Sequence, residues 1–459
     1  MNDPNGLILI DGHYHLFFQY NPFGTDWGHM SWGHAVSEDL VSWRELDVAI
    51  PWSESEEIYS GSTVDDAENT SRLGVDGVPP VVAVYTSVLP DGIQAQSLAV
   101  STDRGLTWSR HGDGPVLSRD STGFRDPKVF QHTAADGSSR WVMVAVEAHD
   151  PAILIYSSPN LRDWSYESSI TPHGAEGLIW ECPDLFPLAV DGDPGNIMWV
   201  LLASTNPREG EDDAQGSAMN FVLGDFDGHA FTPDAPARWR RLDHGRDFYA
   251  GVTFSGMPGG RRVMVGWMSN WQYAASVPTA PFRGAMSLPR ELSLRSRGGV
   301  VELCQRVPPE VEAQWPVSEG AVDGALAPGE MRAIECGTHA VLDVVWTPCK
   351  ADSLELEIRA GLNARAVIIY DPRLEVLNFK RAEDSALPPS FAGANSMTAP
   401  LVEGALRVRI VLDAHLTEVF ADDGAAVMSH QVFPHSDAWV VTARGRKEES
   451  LIKVAVRRV

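Results

Sequence analysis

The sequence predicts an all-β protein, with a five-bladed β-propeller at residues 1–297, a linker at 298–318 and a β-sandwich at 319–459. Three observations carry that reading. Short apolar, β-branched runs alternate with Gly, Asp, Asn and Pro, and helical periodicity is nearly absent. A polar motif ending in tryptophan recurs through the first half. After Pro289-Arg290-Glu291-Leu292 the tryptophans thin out and the runs alternate as sandwich strands do.

The elements follow in order. Leu7-Ile10, Tyr14-Gln19, Val81-Thr86, Trp141-Val146, Ile153-Tyr156, Met198-Ala203 and Arg262-Trp267 read as propeller strands. The repeat is Ser37-Glu38-Asp39-Leu40-Val41-Ser42-Trp43, then Ser101 to Trp108, then Ser157 to Trp164. Each copy follows an apolar strand, as a turn between the outer strands of a blade would. The tryptophans recur about every sixty residues, long enough for four strands and their loops. Gly224-Asp225-Phe226-Asp227-Gly228 is a weaker fourth copy, and the spacing leaves room for five blades. Val307 to Gln314 reads as a proline-marked connector with a short helix. Ala340-Trp346, Leu354-Ile358, Ala366-Tyr370, Arg407-Leu412, Thr417-Phe420 and Leu451-Val456 supply the sandwich.

Composition narrows the function. The 459 residues include 36 basic and 62 acidic ones, a formal charge of −26. That balance excludes nucleic acid and anionic membrane as partners, which need a positive footprint. Hydrophobic residues reach 44%, enough for packed cores, and no apolar run has membrane-spanning length. The four cysteines show no Cys-x-x-Cys spacing, so no metal site is expected. Cys336 and Cys349 are candidates for a disulfide if the protein is secreted. No signal peptide opens the chain. Because a motif starts at residue 2, a leader can be missing, and an extracellular location is expected, with a cytoplasmic one as alternative.

Three segments set a carboxylate close to a proline: Asn2-Asp3-Pro4-Asn5-Gly6, Phe124-Arg125-Asp126-Pro127 and Glu181-Cys182-Pro183-Asp184. Cleaving a glycoside with retention needs two carboxyl groups about 5–5.5 Å apart, one ionised and one carrying a proton. Asp3 suits the nucleophile, since Asn2 and Asn5 can donate to its charged form. Glu181 suits the general acid/base, because Leu178-Ile179-Trp180 would desolvate it. Asp126, beside Arg125, suits an ionised residue that binds ring hydroxyls. Cys182 reads as a small buried neighbour. Tyr20, Trp27, Trp32, Trp52, Trp180, Tyr249, Trp267 and Trp271 supply aromatic faces for sugar rings, though most tryptophans must be blade core. Gln19, Asn21 and Asp247 are candidate hydroxyl partners. Each segment taken alone reads as an ordinary turn or surface loop; their combination in one all-β repeat chain points to glycoside cleavage.

With these segments, Phe18-Gln19-Tyr20-Asn21-Pro22, Trp32-Gly33-His34-Ala35, Tyr59-Ser60-Gly61-Ser62, Asp247-Phe248-Tyr249-Ala250 and Pro289-Arg290-Glu291-Leu292 resemble glycoside hydrolase family 32, the β-fructofuranosidases. The resemblance covers nearly the whole chain. It implies a five-bladed propeller followed by a sandwich, with the active site in a funnel at the propeller axis. It implies Asp3 as nucleophile, Glu181 as general acid/base and Asp126 as transition-state stabiliser. Asn2, Gln19, Trp27, Ser60, Arg125, Tyr249 and Trp271 fall where the family lines its fructose pocket. No metal or organic cofactor is implied. Gly266-Trp267-Met268-Ser269-Asn270-Trp271-Gln272-Tyr273-Ala274 is closer to levanases and exo-inulinases than to sucrose-cleaving members. A hydrolase releasing terminal fructose from levan, inulin or sucrose is therefore expected.

Within the family, a levan fructotransferase making difructose anhydride and a sucrose-specific invertase are the alternatives. Outside it stand an inverting arabinan- or xylan-cleaving propeller and a fructan-binding, lectin-like propeller. Two departures from the family pattern stand out. The chain begins one residue before the first motif, where the family usually has a segment packing near the pocket. Asp413 to Phe420 lacks the usual Arg-Ser-Ser centre, which leaves any substrate contact by the sandwich open.

Overall fold

The computed structural model covers the chain except for residues 113, 172–176, 209, 211–214, 235–238, 349–352, 361–362 and 434–437. The chain divides into two compact units. The first is Met1–Arg241 with Tyr249–Trp267 and Thr279–Ser296; the second is Leu242–Phe248 with Met268–Pro278 and Arg297–Val459. No helix among the described residues is long and apolar enough to cross a membrane.

The first unit is built from antiparallel meanders in chain order. Blade 1 is Pro4–Ile10, His13–Tyr20, Ser31–Ser37 and Arg44–Ile50; blade 2 starts at Glu57–Asp65, blade 3 at Phe124–Thr133 and blade 4 at Leu178–Ala189. Blade 5 contributes Tyr249–Thr253, Arg262–Trp267 and Arg290–Arg297. Each first strand packs beside the first strands of the neighbouring blades, and the fifth closes onto the first. This ring is a propeller hub, and the five strands enter it from the same end.

The tryptophan repeat lies in the turn between third and fourth strands, as its sequence suggests. In each copy the indole donates back to a turn carbonyl: Trp43 to Leu40 at 3.2 Å, Trp108 to Gly105 at 2.9 Å and Trp164 to Leu161 at 2.9 Å. The serine six or seven residues earlier accepts turn N–H groups, so the motif's hydrogen bonds are local to the turn. The fourth copy does the same with Asp227, which accepts from His229 and Ala230.

The carboxylate segments are hub strands, not turns. All five hub strands break register near their start, at Asn5/Ile8, Tyr59/Gly61, Arg125/Lys128, Glu181/Asp184 and Tyr249/Val252. Gly6, Asp126, Cys182 and Ala250 at these breaks have φ of 53°, 61°, 47° and 52°. Such bulges turn one residue out of the pleat, toward the axis. Pro127 and Pro183 are tolerated because the ladder is already interrupted there, and Pro4 because it is the first residue of its strand. Gly6 is doubly required: a Cβ there would come within 2.8–2.9 Å of Phe17, Thr63 and Trp32.

The second unit holds two six-stranded antiparallel sheets. Glu319–Leu326, His339–Thr347, Leu406–Asp413, Leu416–Ala421, Ala426–Gln431 and Ser450–Arg458 form one; Met331–Gly337, Leu354–Ala360, Asn363–Asp371, Val376–Arg381, Gly393–Thr398 and Trp439–Arg444 form the other. Their inner faces bury Leu342, Trp346 and Ile410 against Ile358, Tyr370 and Phe379 in one core, a sandwich. A one-turn helix, Pro309–Glu312, interrupts the connector. Cys336 is a buried free thiol, while Cys349 falls outside the described residues.

Candidate active site

The starts of the hub strands of blades 1, 3 and 4 bring Asp3, Asp126 and Glu181 together. Asp3 precedes the first hub strand. Gln19 N donates to its carbonyl at 2.9 Å and Asn2 N donates to Gln19 O at 3.1 Å, which fixes it to the second strand. Asn2 Nδ2 reaches Asp3 Oδ1 at 3.1 Å, and Ser60 Oγ reaches Oδ2 at 2.9 Å. The Cys182 thiol lies 3.6 Å from the same Oδ2. Asn5, expected to donate to this carboxylate, does not. Oriented as its neighbours require, it accepts from Gln19 Nε2 at 3.0 Å and donates to Ser60 Oγ at 3.2 Å. It braces the brace.

Asp126 is buried at the third bulge. Its N–H donates to Thr86 Oγ1 at 2.9 Å, and its Oδ2 accepts from Cys182 N at 2.9 Å. Cys182 Sγ stands 3.6 Å from that oxygen too, so one thiol lies between two carboxylates. Arg125 Nε is 3.9 Å from Asp126 but Nη2 donates to Glu181 Oε1 at 2.8 Å. The other Glu181 oxygen accepts from the Tyr249 hydroxyl. Glu181 is therefore held between a cation and a phenol. Trp180, expected to desolvate it, is instead buried in the blade core with Leu185 and Val222.

Burial and mutual crowding shift the protonation of Asp3 and Asp126. Burial first, then the charge of Glu181, raises Asp3 above the ordinary carboxylate range, against donation from Asn2, Ser60 and Cys182. Burial pushes Asp126 up to about 7, with Glu181 and Asp3 adding to it and Arg125 opposing. Arg125 therefore does not hold Asp126 fully ionised, contrary to the sequence expectation: the cost of burying its charge exceeds the pull of a guanidinium 3.9 Å away. Burial also raises the Cys182 thiol and the Tyr249 phenol far above their usual values, so both stay protonated donors.

Other expected residues sort as follows. Trp27 is 56% exposed and packs edge-on against Tyr59 at 5.8 Å, next to Ser60. Trp271 lies half-buried in Met268–Pro278, within the second unit. Asn21 is spent on its own turn, donating to Asp26 O and accepting from Phe23 N. Asp247 is fully buried in the second unit, bonded to Arg381, Tyr273 and Gln431 N, and has no face left for a hydroxyl. Trp32, Trp180 and Trp267 are core. Sequence reasoning missed Thr86, which no motif marks, and Gln94, 3.4 Å from Arg125 Nη1. Cys182 was visible but read as inert filler; its position inside a motif between two acids was the available signal.

Fold and site together define a propeller whose hub concentrates three carboxyl groups, on a chain that continues into a β-sandwich. The chain belongs to the glycosyl hydrolases of family 32: the family's N-terminal domain model matches residues 1–306 and its C-terminal model residues 321–456. It is 39% identical to a levanase of Bacillus subtilis over 95% of its own length and 64% of that protein's. The chain thus spans about two thirds of that relative. An extracellular exo-inulinase of Aspergillus awamori is 37% identical over 95% of this chain and 88% of the relative. Among solved structures, exo-inulinase from Aspergillus awamori superposes with a TM-score of 0.92 at 34% identity, covering 100% of this chain and 96% of the other. A β-fructofuranosidase from Schwanniomyces occidentalis complexed with fructosyl-erythritol gives 0.89 at 29%, covering 100% and 95%.

Proposed function

We propose that the protein is a retaining exo-hydrolase that releases terminal fructose from β-fructans of the levan or inulin type, and cleaves sucrose as a short substrate. Asp3 attacks C2 of a terminal fructofuranosyl unit, and Glu181 gives its proton to the departing oxygen. The C2–O bond to the leaving group breaks as an ester to Asp3 forms. Glu181 then takes a proton from water, which attacks C2 and frees Asp3. Asp126 and Arg125 hold ring hydroxyls as positive charge develops. Asn2, Gln19, Trp27, Ser60 and Tyr249 complete the fructose pocket.

The observation that carries this reading is the convergence of Asp3, Asp126 and Glu181 through Cys182 and Arg125. The relatives named levanase and extracellular exo-inulinase support the fructan substrate, and the latter supports an extracellular location. The test is product analysis on levan, inulin and sucrose, with the anomer followed by NMR. Fructose released first as the β-anomer from all three is expected. Inversion, difructose anhydride or long oligosaccharides would overturn the reading.

A further inference from the structure

The loop after blade 1's second strand and the segment after its fourth place Phe23, His29 and Trp52 in one aromatic group. Phe23 meets His29 at 5.3 Å and Trp52 at 6.2 Å, and His29 meets Trp52 at 4.7 Å, all edge to face. Phe23 is 71% exposed, a large apolar ring offered to solvent with no packing reason for it. The loop is not loose. Asn21 ties its turn at both ends, and Arg283 donates to Thr25 O at 3.4 Å and approaches Asp26 at 3.3 Å.

Strand register locates this group. Asp3 is bonded to Gln19, Gln19 pairs with Trp32, and Trp32 pairs with Ile50, so one rung runs outward from Asp3 across the blade. Phe23, His29 and Trp52 lie just past the ends of those strands, on the rim that Asp3 occupies. Three strand spacings separate Trp52 from Asp3, about 14 Å. One sugar ring at the hub does not reach that far, whereas a chain of several does. Trp52 uses its backbone N–H on Ser31 Oγ, and among the described residues its indole N–H has no protein acceptor. The surrounding side chains, Asp26 and Glu54, are exposed acids, which favour a neutral hydroxyl-rich ligand over an anionic one.

We propose that Phe23, His29 and Trp52 form a platform for the leaving-group portion of an oligosaccharide, binding units well beyond the bond that is cut. Sugar C–H faces stack on Phe23, and the Trp52 indole donates to a hydroxyl. This rests on the fructan reading and adds to it a determinant of chain-length preference.

The experiment compares kcat/KM on inulin with kcat/KM on sucrose for the full chain and for Phe23→Ala, Phe23→Tyr and Trp52→Ala. For the two alanine variants the inulin-to-sucrose ratio should fall about five- to tenfold, through KM, and Phe23→Tyr should restore it. An unchanged ratio, or equal losses on both substrates, overturns the platform. A wild-type chain that cleaves neither substrate would instead remove the fructan reading on which it stands.

Discussion

Arg125 donates to Glu181 at 2.8 Å while keeping its Nε 3.9 Å from Asp126, so one buried guanidinium serves two acids of the hub. A lysine is a point charge on a flexible stem and cannot hold both contacts. Arg125→Lys should therefore lower kcat/KM about a hundredfold with little change in the melting curve. Steady-state kinetics alongside circular dichroism check this, and near-normal turnover would count against the shared-cation geometry.

Asp3→Asn should abolish turnover on every substrate, because the amide cannot form the ester. Glu181→Gln should be selective, losing about a hundredfold or more on sucrose and far less on fructosides whose leaving group departs unprotonated. Equal losses on both would argue against proton donation by Glu181.

Asp126 links site and stability. Its pKa is about 7 in the folded protein against an ordinary 3.8, so between those values the native state binds more protons than the unfolded chain. Its contribution is favourable below pH 3.8 and is lost as pH rises through 7. Asp126→Asn removes that loss. The variant, though inactive, should gain melting temperature over wild type at pH 8 and gain little at pH 4. A constant offset at both pH values would show that Asp126 is not charged at cost.

In the second unit, Arg381 Nη1 meets the buried Asp247 at 2.7 Å, and its Nη2 accepts nothing but donates to Tyr273 at 2.9 Å. Arg381→Ala leaves a carboxylate uncompensated and should cost about 3–5 kcal/mol in denaturant unfolding. Asp247→Asn combined with Arg381→Met should cost clearly less. Additive losses would mean the two side chains are not energetically coupled.

Much of the fold was legible because its signals are local. Trp43, Trp108 and Trp164 close turns whose hydrogen bonds lie within seven residues, so any window of that size contains them. The acids were legible for a related reason, since each comes with its proline and polar neighbours. What their segments hid was the strand: Pro127 and Pro183 look like chain breakers until a bulge accommodates them, and Pro4 until it proves to open its strand. Longer-range ties left no mark. Nothing in sequence pairs Asp126 with Thr86, or Glu181 with Arg125 rather than Trp180. The grouping of Leu242–Phe248 and Met268–Pro278 with the sandwich unit rests on contacts such as Asp247 with Arg381, more than a hundred residues apart in the chain.

The five matching interruptions in the hub strands make the chemistry modular. Each blade presents one irregular position to a common centre, and the pleated remainder of the strand is indifferent to what that position carries. Swapping a side chain at one spoke changes the reaction while the wheel stays true, but adding or removing a single residue there would rotate that spoke's functional group away from its companions.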